Sequence, residues 1–496
     1  MAIIGIDIGT SGCKVCAFNL SGDIISSASR KYSENRGHGT REIDPDVVRE
    51  KVFQAISETA SACPEPIQAI SVTCLGESLV CLDENDHVLC PSMVTGDSRG
   101  KEGVEKICKD PGADYIFQTT GLAPSQLYSL PKLIWMRDHT DVLSKTKKIF
   151  FYEDYIGYLL TGARRVSYSS AGRSMAVDIH RLKWDEALLA SASLTSEYFS
   201  TLVPSGTIIG YVKDDIAQNC RLSGRIPVVA GAHDQVCAAL GCGFLDVSFA
   251  EDCIGTCECL ALILPETYPK DTLQKLQMPC MLYPLPDCFF TTLEVTTCGA
   301  LMNWARDTLF KGTRDLCASK GIDFFKYMDE RVAGRHTDVL ILPQFGSSGH
   351  PDLNYHMSGT ICGLSLETTE EDLYLALKEG IVYQLKLAYE YAAPLNLNFE
   401  KIVMAGGAAN SPVSSRLRAD IFQKPVYTLV NKEAGTLGCM ILSAVAIGTY
   451  PDITSAIHEV VQYSDQVLPN PENFAEHMEK YQRFKTLYKS MHHFPG

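Results

Sequence analysis

The sequence predicts an α/β protein made of two related domains facing a cleft, and three observations carry that expectation. The chain opens on a β-branched strand, a Gly-rich turn and a returning strand, in Ala2-Ile-Ile-Gly-Ile-Asp-Ile-Gly-Thr-Ser-Gly-Cys-Lys14. The same strand, Gly-Thr turn and strand recurs from Phe249 to Ile263. A second pair of segments, Val228 to Gln235 and Ile402 to Asn410, each reads as a buried strand entering a small-residue turn and then a helix. Two echoes in one order mark an internal repeat, which divides the chain into residues 1–246 and 247–496.

Composition sets the outer bounds. The 496 residues exceed one core, so about two to three domains follow from length. At 46% hydrophobic and 21% charged, the chain has the make-up of a soluble globular protein. A net charge of -15 argues against nucleic acid or an anionic membrane as the main partner. It leaves room for a local phosphate site built from amides and a metal. The 19 cysteines are scattered through apolar segments, as reduced, buried thiols are. Cys13 and Cys16 form a lone CxxC whose members face opposite sides of a strand. The N-terminus lacks a basic leader with a cleavage site, and no apolar run approaches about 18 residues, so a cytoplasmic protein is expected.

In the opening hairpin, Gly9 and Gly12 let the backbone approach an anion, Thr10 and Ser11 supply donors, and Lys14 adds positive charge. Asp7 lies where a hydrated divalent cation bridging phosphates needs a carboxylate. An ordinary Gly-rich hairpin is the alternative. Residues 47–60 read as a helix, and 69–74, 80–82, 148–151 and 226–230 as strands, with loops at 37–44 and 166–174. Glu77, Asp97, Arg99, Glu153 and Asp154 end apolar segments, and are either acceptors for polyol hydroxyls or surface charges. Asp234 lies where an apolar strand meets a helix. It reads as a general base aimed from a rigid element, or as a helix cap, and His233 beside it reads as structural.

The second half begins at Ser248. Its Gly255-Thr256 turn gives a second phosphate hairpin. Thr369 with Asp372 forms a capping box, and Leu373, Leu377, Ile381, Leu385, Ala388 and Ala392 then make one helical stripe. Gly406-Gly407-Ala408-Ala409-Asn410 offers a surface without large side chains that could take a planar base, or could simply pack tightly. Ser411-Pro412 starts a helix. Residues 436–447 read as a buried helix closed by Gly448, and 472–492 as a tail helix. There is no GxxxxGK[ST], no kinase HRD or DFG and no GxGxxG behind a strand, which disfavours a P-loop or dinucleotide fold.

With Asp7-Ile-Gly-Thr, Asp234-Gln, Ile254-Gly-Thr and Gly406-Gly in this order, the chain resembles the FGGY carbohydrate kinases over essentially its whole length. Ser129-Leu-Pro-Lys-Leu-Ile-Trp135 resembles the first family signature, with Leu127 atypical at its start. Gly359-Thr-Ile-Cys-Gly-Leu364 with Asp372-Leu373, Ala376 and Glu379 resembles the second, with Lys378 where an apolar residue is usual. The resemblance implies two actin-like ATPase (ribonuclease H-like) domains with a central cleft, the first holding sugar and the second ATP. It implies magnesium on Asp7 and Asp234, with Asp234 as base. Thr10 and Thr256 would hold the phosphates, Gly299 and Asn303 would lie beside the nucleotide, and Gly407 and Asn410 at the adenine. Gly76, Glu77, Asp97, Asp154 and Gln235 would line the acceptor site, and a homo-oligomer such as a homodimer is in keeping with the family.

For the acceptor, Gly76-Glu77 stands where xylulose kinases have Met-His and glycerol kinases Arg-Glu, and Gly96 replaces a tryptophan of the glycerol kinases. Glycerol is thereby disfavoured, a ketopentose or related polyol is favoured, and the small Gly76 suggests room for a longer substrate. A chaperone-type or cytoskeletal ATPase on the same fold is the rival reading, and a sugar sensor a third.

Overall fold

The computed structural model describes residues 1–265, 267–346, 349–351 and 358–492. They form two compact units, neither continuous in sequence: Met1–Leu245 with Leu273–Phe290 and Glu433–Val461, and Asp246–Thr272 with Thr291–Lys432 and Gln462–Gly496.

The first unit is built on strands β1 (Ala2–Ile8), β2 (Gly12–Phe18), β3 (Ile24–Lys31), β4 (Ile67–Cys74), β5 (Ile208–Tyr211) and β6 (Pro227–His233), in sheet order β5-β6-β4-β1-β2-β3. The hairpin strands are antiparallel, β4 and β6 run parallel to β1, and β5 closes the edge antiparallel. Both faces of β1 are covered. Ile4, Ile6 and Ile8 are fully buried in the core that Val48, Val52 and Ile56 of helix α1 (Pro45–Ala62) complete. Each such side chain contributes about 1.5–3 kcal/mol. On the opposite face Gly5 lets another helix come close: a Cβ at residue 5 would lie 2.3 Å from the Thr436 carbonyl oxygen.

The second unit repeats the pattern with β7 (Phe249–Ile254), β8 (Glu258–Ile263), β9 (Phe289–Val295, of which residues from 291 belong here), β10 (Lys401–Gly406), β11 (Val426–Leu429) and β12 (Tyr463–Val467), in order β9-β8-β7-β10-β11-β12. Again an antiparallel hairpin, β7 with β8, is followed by two parallel strands and an antiparallel edge. The helices that concern the site are α2 (Asp234–Gly241), α3 (Gly299–Thr308), α4 (Glu370–Tyr391), α5 (Pro412–Phe422), α6 (Ala434–Ala446) and α7 (Pro471–His492). The Thr369–Asp372 capping box and the Ser411 cap both form. No helix among the described residues is long and apolar enough to cross a membrane.

Three expectations change. By strand order, β10 is the counterpart of β4, so the partner of the Val228–Gln235 segment is β11 with α6, not the segment from Ile402 to Asn410. Apolar strands ending in small residues are common to every buried parallel position, so the pattern alone does not rank them. The 166–174 loop is instead a strand, Arg165–Ser167, and a helix, Tyr168–Gly172, because Ser167 caps that helix through the Ser170 amide. The 37–44 loop contains a strand, Arg41–Ile43, paired with Ser92–Met93.

Candidate active site

The first hairpin turn is held from behind. Gly9 N–H donates to the Gly12 carbonyl at 2.9 Å, and the Tyr32 hydroxyl donates to the carbonyls of Gly9 and Gly12 at 2.6 and 3.0 Å. Ser11 is exposed at the tip and Thr10 half-buried beside it. Asp7 pairs in register with Lys14, and Lys14 is ion-paired with Glu433 at the start of α6. Burial pushes the Asp7 carboxyl up to about 7, the charges of Asp234 and Glu433 add to that, and Lys14 opposes it. Gly435 keeps this space open, since a Cβ there would sit 3.3 Å from Asp7 Oδ2.

Asp234 is the first residue of α2, directly behind β6. Its Oδ1 accepts from the Gln235 amide at 2.7 Å and lies 3.0 Å from His233 Nε2. The N-cap position belongs to His233, which makes no side-chain cap, and among the described residues the amide that donates to the Asp234 carboxylate is that of its immediate neighbour. Desolvation pushes the Asp234 carboxyl up to about 6, against the Gln235 amide and the charge of Arg173. The side chain nonetheless keeps 40% of its surface open. His233 is buried, and that burial, with Arg173 nearby, drives its imidazole down to about 3, so the ring is neutral.

Two carboxylates held above their ordinary range are a donor set that a divalent cation would relieve. Among the described residues no cluster of three or more His, Cys, Asp or Glu side chains suited to a metal exists. A pair fits magnesium, which takes one or two carboxylates and completes its shell with water and phosphate oxygens.

The expected acceptor residues divide into two groups. Gly76, Glu77 and Asp234 gather near Arg173 and His233, and Gln235 follows Asp234 in α2. Glu77 has φ +62° and is buried, with Oε1 accepting from Arg173 Nε at 2.6 Å. Its carbonyl accepts from Ser129 Oγ at 3.1 Å and Lys132 Nζ at 3.3 Å. The space beside Gly76 is taken: a Cβ there would lie 2.6 Å from His233 Nε2, so it gives no room to a longer substrate. Asp97 is fully buried and accepts from the Arg41 and Arg99 amides at 2.9 and 3.0 Å and from the Arg99 guanidinium at 2.6 Å. Asp154 accepts from the Phe151 amide at 2.7 Å and caps the helix Tyr152–Thr161. Glu153 binds the Ser167 amide at 3.1 Å and the Ser167 hydroxyl at 2.6 Å. Asp97 and Glu153 thus serve internal donors, as does Oδ1 of Asp154, whose buried Oδ2 has no hydrogen-bond partner. No local pattern singles out Arg173 or Glu433, because each is paired with a residue far away in sequence.

In the second unit the Gly255-Thr256 turn is exposed and tied to the start of α3. The amides of Cys298, Gly299 and Ala300 donate to the carbonyls of Thr256, Gly255 and Thr256 at 3.1, 3.1 and 3.2 Å. Gly299 is required there, because a Cβ would lie 2.3 Å from the Gly255 carbonyl oxygen. Asn303 is exposed on the next turn of α3. Gly406 has φ +81°, and its Cβ would lie 2.2 Å from the Ile254 carbonyl oxygen, whereas Gly407 has open space above it. Asn410 Nδ2 donates to the Gly407 carbonyl at 3.2 Å, and Lys432 donates to Asn410 Oδ1. A cavity of about 420 Å³ opens here, lined by Gly406, Ala409, Asn410, Thr428 and Lys432 among others. The atypical Lys378 is paired with Asp329 at 2.8 Å and donates to Ser411 Oγ at 2.7 Å, so its charge is matched inside the unit.

Residues 2–241 match the N-terminal domain of the FGGY family of carbohydrate kinases, and residues 253–447 its C-terminal domain. A xylulose kinase of Lactococcus lactis is 25% identical over 497 residues, covering 98% of this chain and 96% of that protein. A gluconokinase of Bacillus licheniformis is 26% identical over 497 residues, covering 99% and 96%. The crystal structure of a ligand-bound xylulose kinase from Lactobacillus acidophilus superposes with a TM-score of 0.88 at 23% identity, covering 100% of this chain and 99% of that one. That likeness shows the fold, two actin-like ATPase domains.

Proposed function

Since this chain belongs to the FGGY family of carbohydrate kinases, we propose that it transfers the γ-phosphoryl group of ATP to a hydroxyl of a ketopentose such as xylulose, with Asp234 as general base. Phosphoryl transfer from ATP to a sugar hydroxyl is the activity of the family. The ketopentose, the magnesium ion and the residue roles are our own reading. The observation that carries it is the placement of Asp234 at a rigid strand-helix junction, solvent-accessible and raised to about 6.

Both polar contacts to the Asp234 carboxylate fall on Oδ1. Oδ2 is left to accept the proton of the attacking hydroxyl, and a base with a value near the working pH does this best. Asp7 and Asp234 would hold magnesium, which when bound offsets charge on the transferred phosphoryl group. Thr10 and Ser11 present donors at the tip of the first turn, and Thr256 at the tip of the second. The Gly406-Gly407 step with Asn410 offers the base a flat seat. Catalysis then rests on positioning and charge, with no covalent step on the protein.

Residues 1–246 supply the acceptor side in this reading and 247–496 the nucleotide side, in a cytoplasmic enzyme. A neutral sugar is favoured over a sugar acid because Arg173 is already answered by Glu77. The test is ADP release, coupled to a reporter, with magnesium-ATP and a panel of ketoses, aldoses, polyols and sugar acids. Strong turnover with a ketopentose supports the reading. A sugar acid as best acceptor would overturn the substrate assignment, and turnover independent of any sugar would favour an actin-like ATPase.

A further inference from the structure

Resting on the reading of the Gly406-Gly407 step as the seat of the nucleotide's base, we propose that Lys378 is a positioning residue for that seat, acting through Ser411. Lys378 stands on α4 at the place where an apolar residue is usual, and it is buried. Its ammonium donates to Ser411 Oγ at 2.7 Å and to Ser414 Oγ at 3.1 Å, and is ion-paired with Asp329 Oδ1 at 2.8 Å. Three hydrogens thus face three oxygens. Asp329, on the helix Phe324–Val332, is buried as well. It accepts from the Tyr374 hydroxyl on Oδ1 at 2.8 Å and from the Ser411 hydroxyl on Oδ2. All of these residues belong to the second unit.

Ser411 joins this cluster to the seat. A hydroxyl has one hydrogen and two lone pairs. Here the hydrogen goes to Asp329, and the lone pairs receive the Lys378 ammonium and, at 3.1 Å, the Ser414 amide. With every position filled, the hydroxyl is fixed in one orientation. On the main chain the Ser411 amide donates to the Ala408 carbonyl at 3.0 Å, which closes the 407–410 turn onto the same residue. A helix cap needs only the Ser414 amide. Stability does not account for the rest: an ammonium at the start of a helix opposes its dipole, and a buried ion pair is often no more stable than apolar residues of the same volume. What the pair provides is direction. It ties the turn that carries Gly407 and Asn410 to α4 and to the helix Phe324–Val332, so the surface offered to the base is held in one place beside the cavity that Gly406, Ala409, Asn410 and Pro412 line.

The experiment is calorimetric binding of magnesium-ATP, with steady-state kinetics on the best acceptor of the panel and thermal melting, for the Lys378→Met/Asp329→Asn double variant, Ser411→Ala, Ser411→Thr and Gly407→Val. The double variant removes both charges together, so no unpaired ion is left inside the unit. It should weaken ATP binding and raise KM for ATP about tenfold, with KM for the acceptor within about twofold. Ser411→Ala should do the same. Ser411→Thr, which keeps the hydroxyl, should recover most of that loss, a rescue that a general loss of stability would not give. Gly407→Val, which fills the open space over the seat, tests the underlying reading separately. If Gly407→Val weakens ATP binding while the double variant binds ATP within about twofold of wild type, whatever its melting temperature, the role of Lys378 is overturned and the seat stands. If Gly407→Val binds ATP as wild type does, the seat is overturned and this inference with it.

Discussion

Asp234 and Asp7 both sit above the ordinary carboxylate range, near 6 and 7, and both must be ionised in their proposed roles. At limiting magnesium kcat/KM should therefore fall as pH drops through about 7 to 6, and the fall should move to lower pH as magnesium is raised, which pH-rate profiles at the two magnesium concentrations would show. Asp234→Asn should lower kcat about 10²- to 10⁴-fold while ATP binding persists, as checked by calorimetry. Retained activity would remove Asp234 from the role. Asp7 carries a stability consequence with a definite sign. Its folded value exceeds the ordinary 3.8, so between the two the folded state holds the proton more tightly. The stability it gives is present below about pH 4 and is lost as pH rises through about 7. Metal-free Asp7→Asn should accordingly be more stable than wild type by about 1–2 kcal/mol at about pH 8, with the difference vanishing in acid. Denaturant melts at the two pH values decide it, and a less stable variant at about pH 8 would show that Lys14 already compensates the charge.

At the scale of elements, glycines at crossings set the geometry of both turns. Gly299 lets the start of α3 sit against the Gly255-Thr256 turn, with a would-be Cβ only 2.3 Å from a carbonyl oxygen. Gly299→Ala must move that turn or the helix, so KM for ATP should rise about tenfold or more with KM for sugar little changed. Equal changes in both constants would mean that the turn does not serve the nucleotide. Behind the turn, Arg418 is fully enclosed with Asp252 and Glu258, one residue from each strand of the β7/β8 hairpin. Breaking such a pair strands a buried charge at a cost of about 3–5 kcal/mol. The hairpin is thus anchored from beneath by one arginine, while its tip stays exposed.

At the scale of the whole molecule, neither compact unit is continuous in sequence. Helix α6 lies in the C-terminal half of the sequence, yet it packs in the first unit: a Cβ on Gly438 would meet the Cys237 carbonyl oxygen at 2.0 Å, and one on Gly241 the Ala434 carbonyl oxygen at 2.1 Å. Residues 1–246 expressed alone would expose the β1 and β4 face that α6 covers. This fragment should aggregate or melt without cooperativity, and co-expression with residues 433–461 should restore a cooperative transition, read by circular dichroism. A cooperative, soluble fragment 1–246 would show that the α6 contacts are dispensable.

Local patterns determined the elements themselves. The period of two in the Ile-rich opening, the Gly-Thr turns, the Thr369–Asp372 box and the Ser411-Pro412 start are encoded within a few residues, and all appear as hairpins and helix ends. The junction that presents Asp234 was legible for the same reason. What only the tertiary structure decided were pairings across long sequence separations: Arg173 with Glu77, Lys14 with Glu433, and the imidazole of His233 in the space beside Gly76. The same holds for the internal donors that occupy Asp97, and for α6 joining the first unit. No local period records which distant side chain will neutralise a charge or fill a gap; that is settled when burial forces each polar group to find a partner.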